Sequence, residues 1–266
     1  MMYTTQINTL LIMSPPQENK SKIILALDVN TIGRACELMD EVGVERIGVV
    51  KVGLELITAQ IAGEVATCAI RRGFHVFWDG KPDDVPRTIG KAVKEAAARG
   101  VKFINVHANA TVEGMMAAVA NKGNAQILAV SALTSILTEE VEIEFGRSRK
   151  AQVLYYARTA SYAGCDGLIC SPEELQFLAK FYKRKENPEI QIERLIKVIP
   201  GTRSPGADHQ DQKNVLTQEV AIANGADWLV IGSEINGAKN PAAAADALNV
   251  RIAKALEEKL KGAVAV

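Results

Sequence analysis

The polar stretch 79–88 of this 266-residue chain combines the residue types needed for proton transfer. It follows the apolar run 75–78, whose alternating side chains are typical of a β-strand. Because side chains two positions apart on a strand point the same way, Asp79 and Lys81 should face one side where the strand ends, with Asp84 one turn later. Opposite charges nearby favour the protonated form of a lysine. The spacing therefore predicts an ammonium group that donates a proton; a solvated cluster of ion pairs is the alternative.

The elements that would position this stretch alternate between strands and helices. Short β-branched runs, each followed by a longer helical stretch, are typical of βα units around a parallel sheet. Strands are predicted at 23–28, 48–52, 75–79, 102–107, 126–131, 167–170, 197–200 and 228–231. Helices are predicted at 32–42, 55–71, 85–98, 111–120, 148–163, 172–181, 216–224 and 241–259. Eight such pairs fit a closed (β/α)8 TIM barrel of the α/β class better than an open sheet, and no G-x-G-x-x-G motif follows the first strand.

The chain is predicted to form one catalytic domain from residue 21 to residue 266, because no linker-like stretch divides it. Residues 1–20 are expected to be a loosely ordered extension. Their apolar segment has neither the basic flank nor the small-residue cleavage site of a signal peptide.

Composition argues against several classes of protein. Lysine plus arginine and aspartate plus glutamate each total 31, so no overall charge would recruit nucleic acid or an anionic membrane. No apolar run reaches the length of about 18 residues that spans a bilayer. The cysteines form no C-x-x-C pair and the histidines lack metal-ligand spacing. We therefore expect a soluble, cytoplasmic protein with reduced thiols, no metal, no nucleic-acid partner and no membrane association.

The chemistry of such a barrel lies at the carboxyl ends of its strands. Polar residues occupy that position after most of the predicted strands: Asp28, Lys51, Asp79 with Lys81, His107, Thr134 and Arg203. Acids and lysines that alternate over three adjacent strands form a network that a structural role alone hardly requires. His107 is at least as compatible with a structural histidine as with a catalytic one.

Two further loops suggest a phosphate site. Arg203 ends a Pro-Gly-Thr-Arg sequence after the seventh strand, and Gly232 and Ser233 follow the eighth strand before a predicted helical turn. In barrels these two loops commonly bind phosphate through backbone N–H groups, and glycine permits close approach. The polar stretch 204–214 is predicted to be a loop that closes over the ligand.

From residue 22 to residue 259 the chain resembles the orotidine 5′-phosphate decarboxylase family. The matching motifs are Leu25-Ala26-Leu27-Asp28, Val50-Lys51-Val52-Gly53, D-x-K-x-x-D-V-P-x-T at 79–88, Val106-His107-Ala108, Leu133-Thr134-Ser135, Pro200-Gly201-Thr202-Arg203, Asp211-Gln212 and Leu229-Val230-Ile231-Gly232. The resemblance implies an enzyme of pyrimidine biosynthesis that releases carbon dioxide from orotidine 5′-phosphate to form uridine 5′-phosphate. It also implies that no metal or organic cofactor takes part.

The resemblance assigns the catalytic roles to four residues. Lys81 would protonate the pyrimidine carbon, while Asp79, Asp84 and Lys51 complete the charged network. Asp84 and Thr88 would reach the site of a neighbouring subunit, which implies a homodimer with shared sites.

The substrate-binding residues implied by the resemblance are Asp28 and Thr88 at the ribose, Thr134 at the base, Gln212 between base and phosphate, and Arg203, Gly232 and Ser233 near the phosphate. One departure stands out. The family normally carries a phosphate-binding arginine where this chain has Ser233, and Glu234 follows it. The charge-assisted, bidentate contact of that arginine is therefore missing from the expected position.

Three other interpretations remain. Magnesium-dependent sugar-phosphate decarboxylases and aldolases of the same superfamily share D-x-K-x-x-D, but they typically place a glutamate where this chain has Lys51. A Schiff-base aldolase would need an unprotonated Lys81, which two neighbouring acids disfavour. A non-catalytic nucleotide-binding barrel would explain the missing arginine, but not the retention of the whole network of acids and lysines.

Overall fold

A closed barrel of eight parallel strands, joined in sequence order, forms the centre of the protein. The computed structural model describes residues 21–132, 138–181, 189–204 and 216–264, with backbone alone at 138, 139 and 262–264. The strands are β1 Ile23–Ala26, β2 Val49–Val52, β3 His75–Trp78, β4 Phe103–His107, β5 Gln126–Val130, β6 Gly167–Ile169, β7 Ile196–Ile199 and β8 Trp228–Ile231. Pairing of β1 with β8 closes the barrel. The predicted TIM barrel is confirmed, and the predicted strands lie within two residues of those observed.

Helices surround the barrel. Those in the described residues are α1 Ile32–Val42, α2 Leu54–Thr58, α3 Ala62–Arg71, α4 Pro86–Ala97, α5 Thr111–Asn121, α6 Thr138–Phe145, α7 Arg149–Tyr162, α8 Pro172–Ala179, α9 Gln218–Ala223, α10 Ser233–Asn236 and α11 Pro241–Val264, with a 3-10 helix at Ile192–Arg194. The prediction of one helix over 55–71 is wrong. Gln60 has a φ of 61°, outside the right-handed helical region, so the segment divides into α2 and α3. Helix α6 was not predicted, whereas α10 confirms the helical turn expected after β8.

Local sequence explains several helix starts. The Thr31 side chain accepts a hydrogen bond from the N–H of Arg34 at the start of α1, which satisfies a free backbone donor. Pro86 opens α4, where its missing N–H costs nothing. Helix α8 begins with a capping box in which Ser171 and Glu174 bond each other's backbone N–H. These caps set where each loop from a strand end turns into a helix.

Two apolar cores lie on the two sides of the barrel wall. One side of the strands packs against the helices in a large buried cluster. The other side fills the barrel interior with a smaller cluster: Ile24, Val49, Phe77, Phe103, Leu128, Val130, Ile169 and Val198. Because side chains alternate along a strand, each strand serves both cores. The filled interior leaves the rim at the carboxyl ends of the strands as the place for polar groups.

The expectation of four reduced thiols is wrong for two of them. Cys36 in α1 and Cys68 in α3 form a disulfide, since these helices bring the two Cα atoms within 6.6 Å. Cys165 and Cys170 are free and buried, and burial raises the pKa of Cys165 to about 12. Because two of the four cysteines form a disulfide, the argument from reduced thiols to a cytoplasmic location no longer holds. The cytoplasmic location stays a prediction. None of the described helices combines the length and apolar character needed to cross a membrane.

Candidate active site

Three polar side chains continue the inward-facing side of β2, β3 and the neighbouring β4. They are Lys51, Asp79 and Asn105. Two residues before each of them stands a member of the inner apolar cluster: Val49, Phe77 and Phe103. Alternation along each strand thus turns all three toward the barrel axis, one layer above the apolar filling. The layer lies at the carboxyl ends of the strands, as the sequence predicted.

Asp79 is the centre of this layer. The residue is only 5% exposed. Its Oδ1 accepts hydrogen bonds from Lys81 Nζ at 2.5 Å and from Asn105 Nδ2 at 2.5 Å, while Oδ2 lies 3.1 Å from Lys51 Nζ. A buried carboxylate requires such partners because desolvation disfavours an unpaired charge. Two lysines and one amide therefore fix both oxygens of a single carboxylate.

Lys51 links this carboxylate to the first strand. Its Nζ lies 3.5 Å from Asp28 Oδ1 as well as 3.1 Å from Asp79. Burial lowers the pKa of Lys51, but attraction to Asp79 and Asp28 outweighs burial and raises the pKa above its ordinary value. Lys51 is therefore a fixed cation. Asp28, whose side chain is 58% exposed, remains open to a ligand.

Lys81 has an unusual backbone. Its φ of 47° lies in the left-handed region, which residues with a Cβ rarely adopt. The N–H of Lys81 donates to Asn105 Oδ1 at 2.8 Å, and its ammonium group binds Asp79. The side chain is 28% exposed, so Nζ is held by a buried acid yet remains open on one side.

The expected convergence of Asp84 with Lys81 does not occur within one chain. Asp84 is exposed, its Oδ1 accepts a hydrogen bond from the N–H of Val85, and no ion pair joins it to Lys81 in the described structure. The segment turns outward because it must reach the start of α4 at Pro86. Thr88, in the first turn of α4, is also exposed.

His107 ends β4 beside the charged layer. Its backbone N–H donates to the carbonyl oxygen of Pro82 at 3.1 Å, and this hydrogen bond connects the loop after β3 to β4. Burial lowers the pKa of His107 and outweighs the nearby carboxylate of Asp83, which acts in the opposite direction. The neutral form is thus favoured, as expected of a structural histidine.

The two loops of the expected phosphate site contact each other through Glu234. Its Oε1 accepts hydrogen bonds from the N–H of Ser204 at 2.9 Å and from Gln218 Nε2 at 3.1 Å, and its Oε2 accepts from Ser204 Oγ. Arg203 precedes Ser204, is partly buried, and donates from Nη1 to the carbonyl of Thr202. Ser233 is exposed at the start of α10.

Glycine leaves space for a charged side chain at two places around these groups. A Cβ on Gly53 would lie 2.9 Å from Lys51 Nζ, so the lysine occupies the space that a side chain would need. A Cβ on Gly232 would lie 3.0 Å from Asp28 Oδ2. Both glycines therefore let a charged group of the site lie directly against the backbone.

The structure thus brings together Asp28, Lys51, Asp79 and Lys81, and places Arg203, Gly232 and Ser233 in two neighbouring loops. Thr134 and Gln212 lie outside the described residues, as do residues 1–20. Asn105 is the residue that sequence reasoning missed. The alternation of β4 carried a signal for it, because Asn105 shares the inward side with Phe103 and His107.

No cluster of three or more possible metal ligands occurs among the described residues. In addition, Lys51 and Lys81 engage both oxygens of Asp79, and Lys51 also pairs with Asp28. Asp28 and Asp79 therefore each already form an ion pair with a lysine ammonium group.

The barrel, its buried acid with two lysines, and the paired loops after β7 and β8 define a TIM-barrel protein with a polar, lysine-containing site at the carboxyl ends of its strands. The model of the orotidine 5′-phosphate decarboxylase / HUMPS family matches residues 21–248, and the chain belongs to this family.

Named relatives agree with the family match. The orotidine 5′-phosphate decarboxylase of Moorella thermoacetica is 37% identical over 88% of this chain and 92% of its own. That of Pseudomonas aeruginosa (strain LESB58) is 38% identical over 86% and 96%. Among solved structures, the orotidine 5′-phosphate decarboxylase of Lactobacillus acidophilus superposes with a TM-score of 0.70 at 27% identity, over 88% of this chain and 98% of its own.

Proposed function

We propose that the chain is an orotidine 5′-phosphate decarboxylase, a carboxy-lyase that forms uridine 5′-phosphate and carbon dioxide in pyrimidine biosynthesis. Family membership and the named relatives support this reaction. The observation that carries it is Lys51, which faces Asp79 at 3.1 Å. The sugar-phosphate branch of the superfamily typically has a glutamate at this position, so a lysine favours the decarboxylase.

The reaction requires a proton where carbon dioxide departs. When the bond between the pyrimidine carbon and the carboxylate breaks, its electron pair stays on an sp² carbon as a localised carbanion. A fixed ammonium group beside that carbon stabilises the developing charge and then donates its proton. Lys81 fits this role because Asp79 binds its Nζ at 2.5 Å while one side of the ammonium stays open. Solvent would restore the proton to Lys81 after product release.

The other groups would orient the nucleotide. Asp28, paired with Lys51 yet largely exposed, is suited to bind a ribose hydroxyl. Thr134 would contact the base, Gln212 would join base and phosphate, and Arg203 would bind the phosphate near Gly232 and Ser233. Such remote contacts supply binding energy that holds the reacting carbon at Lys81.

A metal-free reaction is part of the proposal. The acids of the site already neutralise two lysines, and a divalent cation would have to displace an ammonium group from Asp79. The sugar-phosphate alternative makes the opposite prediction, because it uses magnesium.

A homodimer with shared sites and a cytoplasmic location complete the proposal. Asp84 and Thr88 are exposed in the single chain, and the apolar Val85 between them is 59% exposed. All three side chains are therefore accessible to a second subunit.

The decisive test is loss of orotidine 5′-phosphate absorbance with purified protein in excess chelator. We expect turnover, with uridine 5′-phosphate as product and no gain when magnesium is added back. Turnover of a hexulose phosphate only with magnesium would favour the sugar-phosphate alternative. Binding of uridine 5′-phosphate without turnover of either substrate would indicate a non-catalytic barrel.

A further inference from the structure

Asn105 is a fully buried side chain whose two ends contact the two central groups of the site. The residue is 0% exposed in the middle of β4. Its Nδ2 donates to Asp79 Oδ1 at 2.5 Å, and its Oδ1 accepts from the N–H of Lys81 at 2.8 Å. The orientation of the amide is unambiguous, because a flipped amide would set a donor against a donor and an acceptor against a carboxylate.

Strand register places the amide there. Trp78 of β3 pairs with Ile104 of β4, so the next residues, Asp79 and Asn105, stand side by side at the rim of the barrel. Both are buried, Asn105 at 0% and Asp79 at 5% exposed, and burial limits competition from solvent for their hydrogen bonds.

The contact with Lys81 bears on its backbone. Lys81 has a φ of 47°, a conformation that a residue with a Cβ adopts only when its surroundings hold it there. The hydrogen bond from its N–H to Asn105 supplies such a hold. Asn105 therefore binds the backbone of Lys81 at one end and, at the other, the carboxylate that binds the ammonium of Lys81.

We infer that Asn105 is a positioning residue of the decarboxylation: it fixes the Asp79 carboxylate and the Lys81 backbone so that the ammonium group stays at the reacting carbon. The inference rests on the proposed function. It assigns Asn105 no contact with the substrate. The alternative is a purely structural role, in which the amide only fills a buried polar position. The experiment must distinguish this role from positioning of Lys81.

The test compares Asn105→Ala with the matched control Asn109→Ala. Asn109 lies just beyond the same strand, where its amide forms hydrogen bonds with Asp83 and Tyr156 instead of with Asp79 and Lys81. We expect Asn105→Ala to lower kcat by about 10- to 100-fold, the scale of a misplaced reacting group, with KM changed less than about threefold. Asn109→Ala should keep both constants near those of the wild type.

Binding without turnover provides a second readout. Asn105→Ala should bind uridine 5′-phosphate normally, since ribose and phosphate contacts lie elsewhere. It should bind an analogue with an oxyanion on the reacting carbon at least about tenfold more weakly, because that charge faces the ammonium of Lys81. A structural role would weaken both ligands alike.

Asn105→Asp tests the hydrogen bond to Asp79 directly. The carboxylate retains an acceptor for the N–H of Lys81 but repels Asp79, whereas its protonated form could again donate to Asp79. The kcat of Asn105→Asp relative to wild type should therefore rise as the pH is lowered. A ratio independent of pH, or a kcat of Asn105→Ala within threefold of wild type, would overturn the inference.

Failure of the proposed function would be recognised separately, because the wild type would then not convert orotidine 5′-phosphate. Crystal structures of wild type and Asn105→Ala would still decide the positioning. We expect Lys81 Nζ to move by about 1 Å or more, the scale that matters for catalysis. An unmoved Lys81 would overturn the inference.

Discussion

At the scale of single residues, we expect substitution of Lys81 to have the largest effect on the proposed reaction. Its ammonium group is held by Asp79 and no other described lysine but Lys51 shares that layer. Lys81→Ala should lower kcat by several orders of magnitude, because water in its place is neither fixed nor charged. The measurement is single-turnover decay of orotidine 5′-phosphate absorbance.

The matched control for Lys81→Ala is Lys254→Ala, which removes an exposed lysine from α11. Circular dichroism should show the same helix content in both variants. Near-normal turnover of Lys81→Ala would contradict the role of proton donor.

Ser233 occupies the position where the family normally has a phosphate-binding arginine. A hydrogen bond to a charged group contributes about 1.5–3 kcal/mol. Since every 1.4 kcal/mol is about tenfold, Ser233→Arg should raise kcat/KM for the nucleotide by about 10- to 100-fold. The unphosphorylated nucleoside should change little. Ser233 is exposed, so the new side chain has room.

Arg203→Ala separates the possible outcomes of that substitution. If Arg203 already compensates for the missing arginine, its removal will cause a large loss specific to the phosphorylated substrate. Equal losses for nucleotide and nucleoside would contradict the assignment of this loop to the phosphate.

At the scale of elements, Glu234 joins α10 to the loop after β7. Three donors on Ser204 and Gln218 engage its carboxylate, and Arg251 of α11 donates to Ser204 Oγ at 2.6 Å. Arg251 also binds Gln218 at 3.1 Å and Glu219 at 2.5 Å. The Glu234 carboxylate therefore forms hydrogen bonds within the protein. Its main effect is to attach Ser204, and with it the loop that carries Arg203, to α10.

Glu234→Ala should accordingly act on both stability and substrate binding. Loss of these partly buried hydrogen bonds should cost about 1–3 kcal/mol of stability. KM for the nucleotide should rise several-fold, since the loop that carries Arg203 loses its anchor. Thermal unfolding and steady-state kinetics measure the two effects. Glu258→Ala, an exposed change on α11, is the control, and an unchanged KM in Glu234→Ala would argue against the anchor.

At the scale of the whole molecule, the site is incomplete in one chain if Asp84 acts on a neighbour. Mixing Lys81→Ala with Asp84→Ala subunits should then restore activity. Random exchange makes half of the dimers heterodimers, each with one intact site, so recovery should approach about a quarter of wild-type activity. Subunit exchange must be demonstrated, for example by mass spectrometry.

The structure supplies a sharp control for this mixture. Asp79 and Lys81 of one chain bind each other, so Lys81→Ala mixed with Asp79→Ala leaves every site with one lesion. That mixture should stay inactive. Equal behaviour of the two mixtures would contradict a site built across two subunits.

The sequence by itself determined the barrel and the cluster around Asp79. Strand and helix periods are local properties, and parallel strands of one sheet align their carboxyl ends. Lys51 and Asp79 therefore had to meet once their strands were recognised. Lys81 also contacts Asp79 as predicted, but β3 ends at Trp78 and the left-handed backbone of Lys81 lies outside the strand alternation that suggested this contact.

Only the tertiary structure decided the partners that come from distant segments. Asn105 meets Asp79 through the register of β3 with β4, and Glu234 meets Ser204 across 30 residues. Cys36 and Cys68 meet because α1 packs beside α3. The outward path of Asp84 likewise depends on how the loop after β3 reaches α4. Such contacts arise from packing, and packing has no local signature in the chain because it depends on many residues at once.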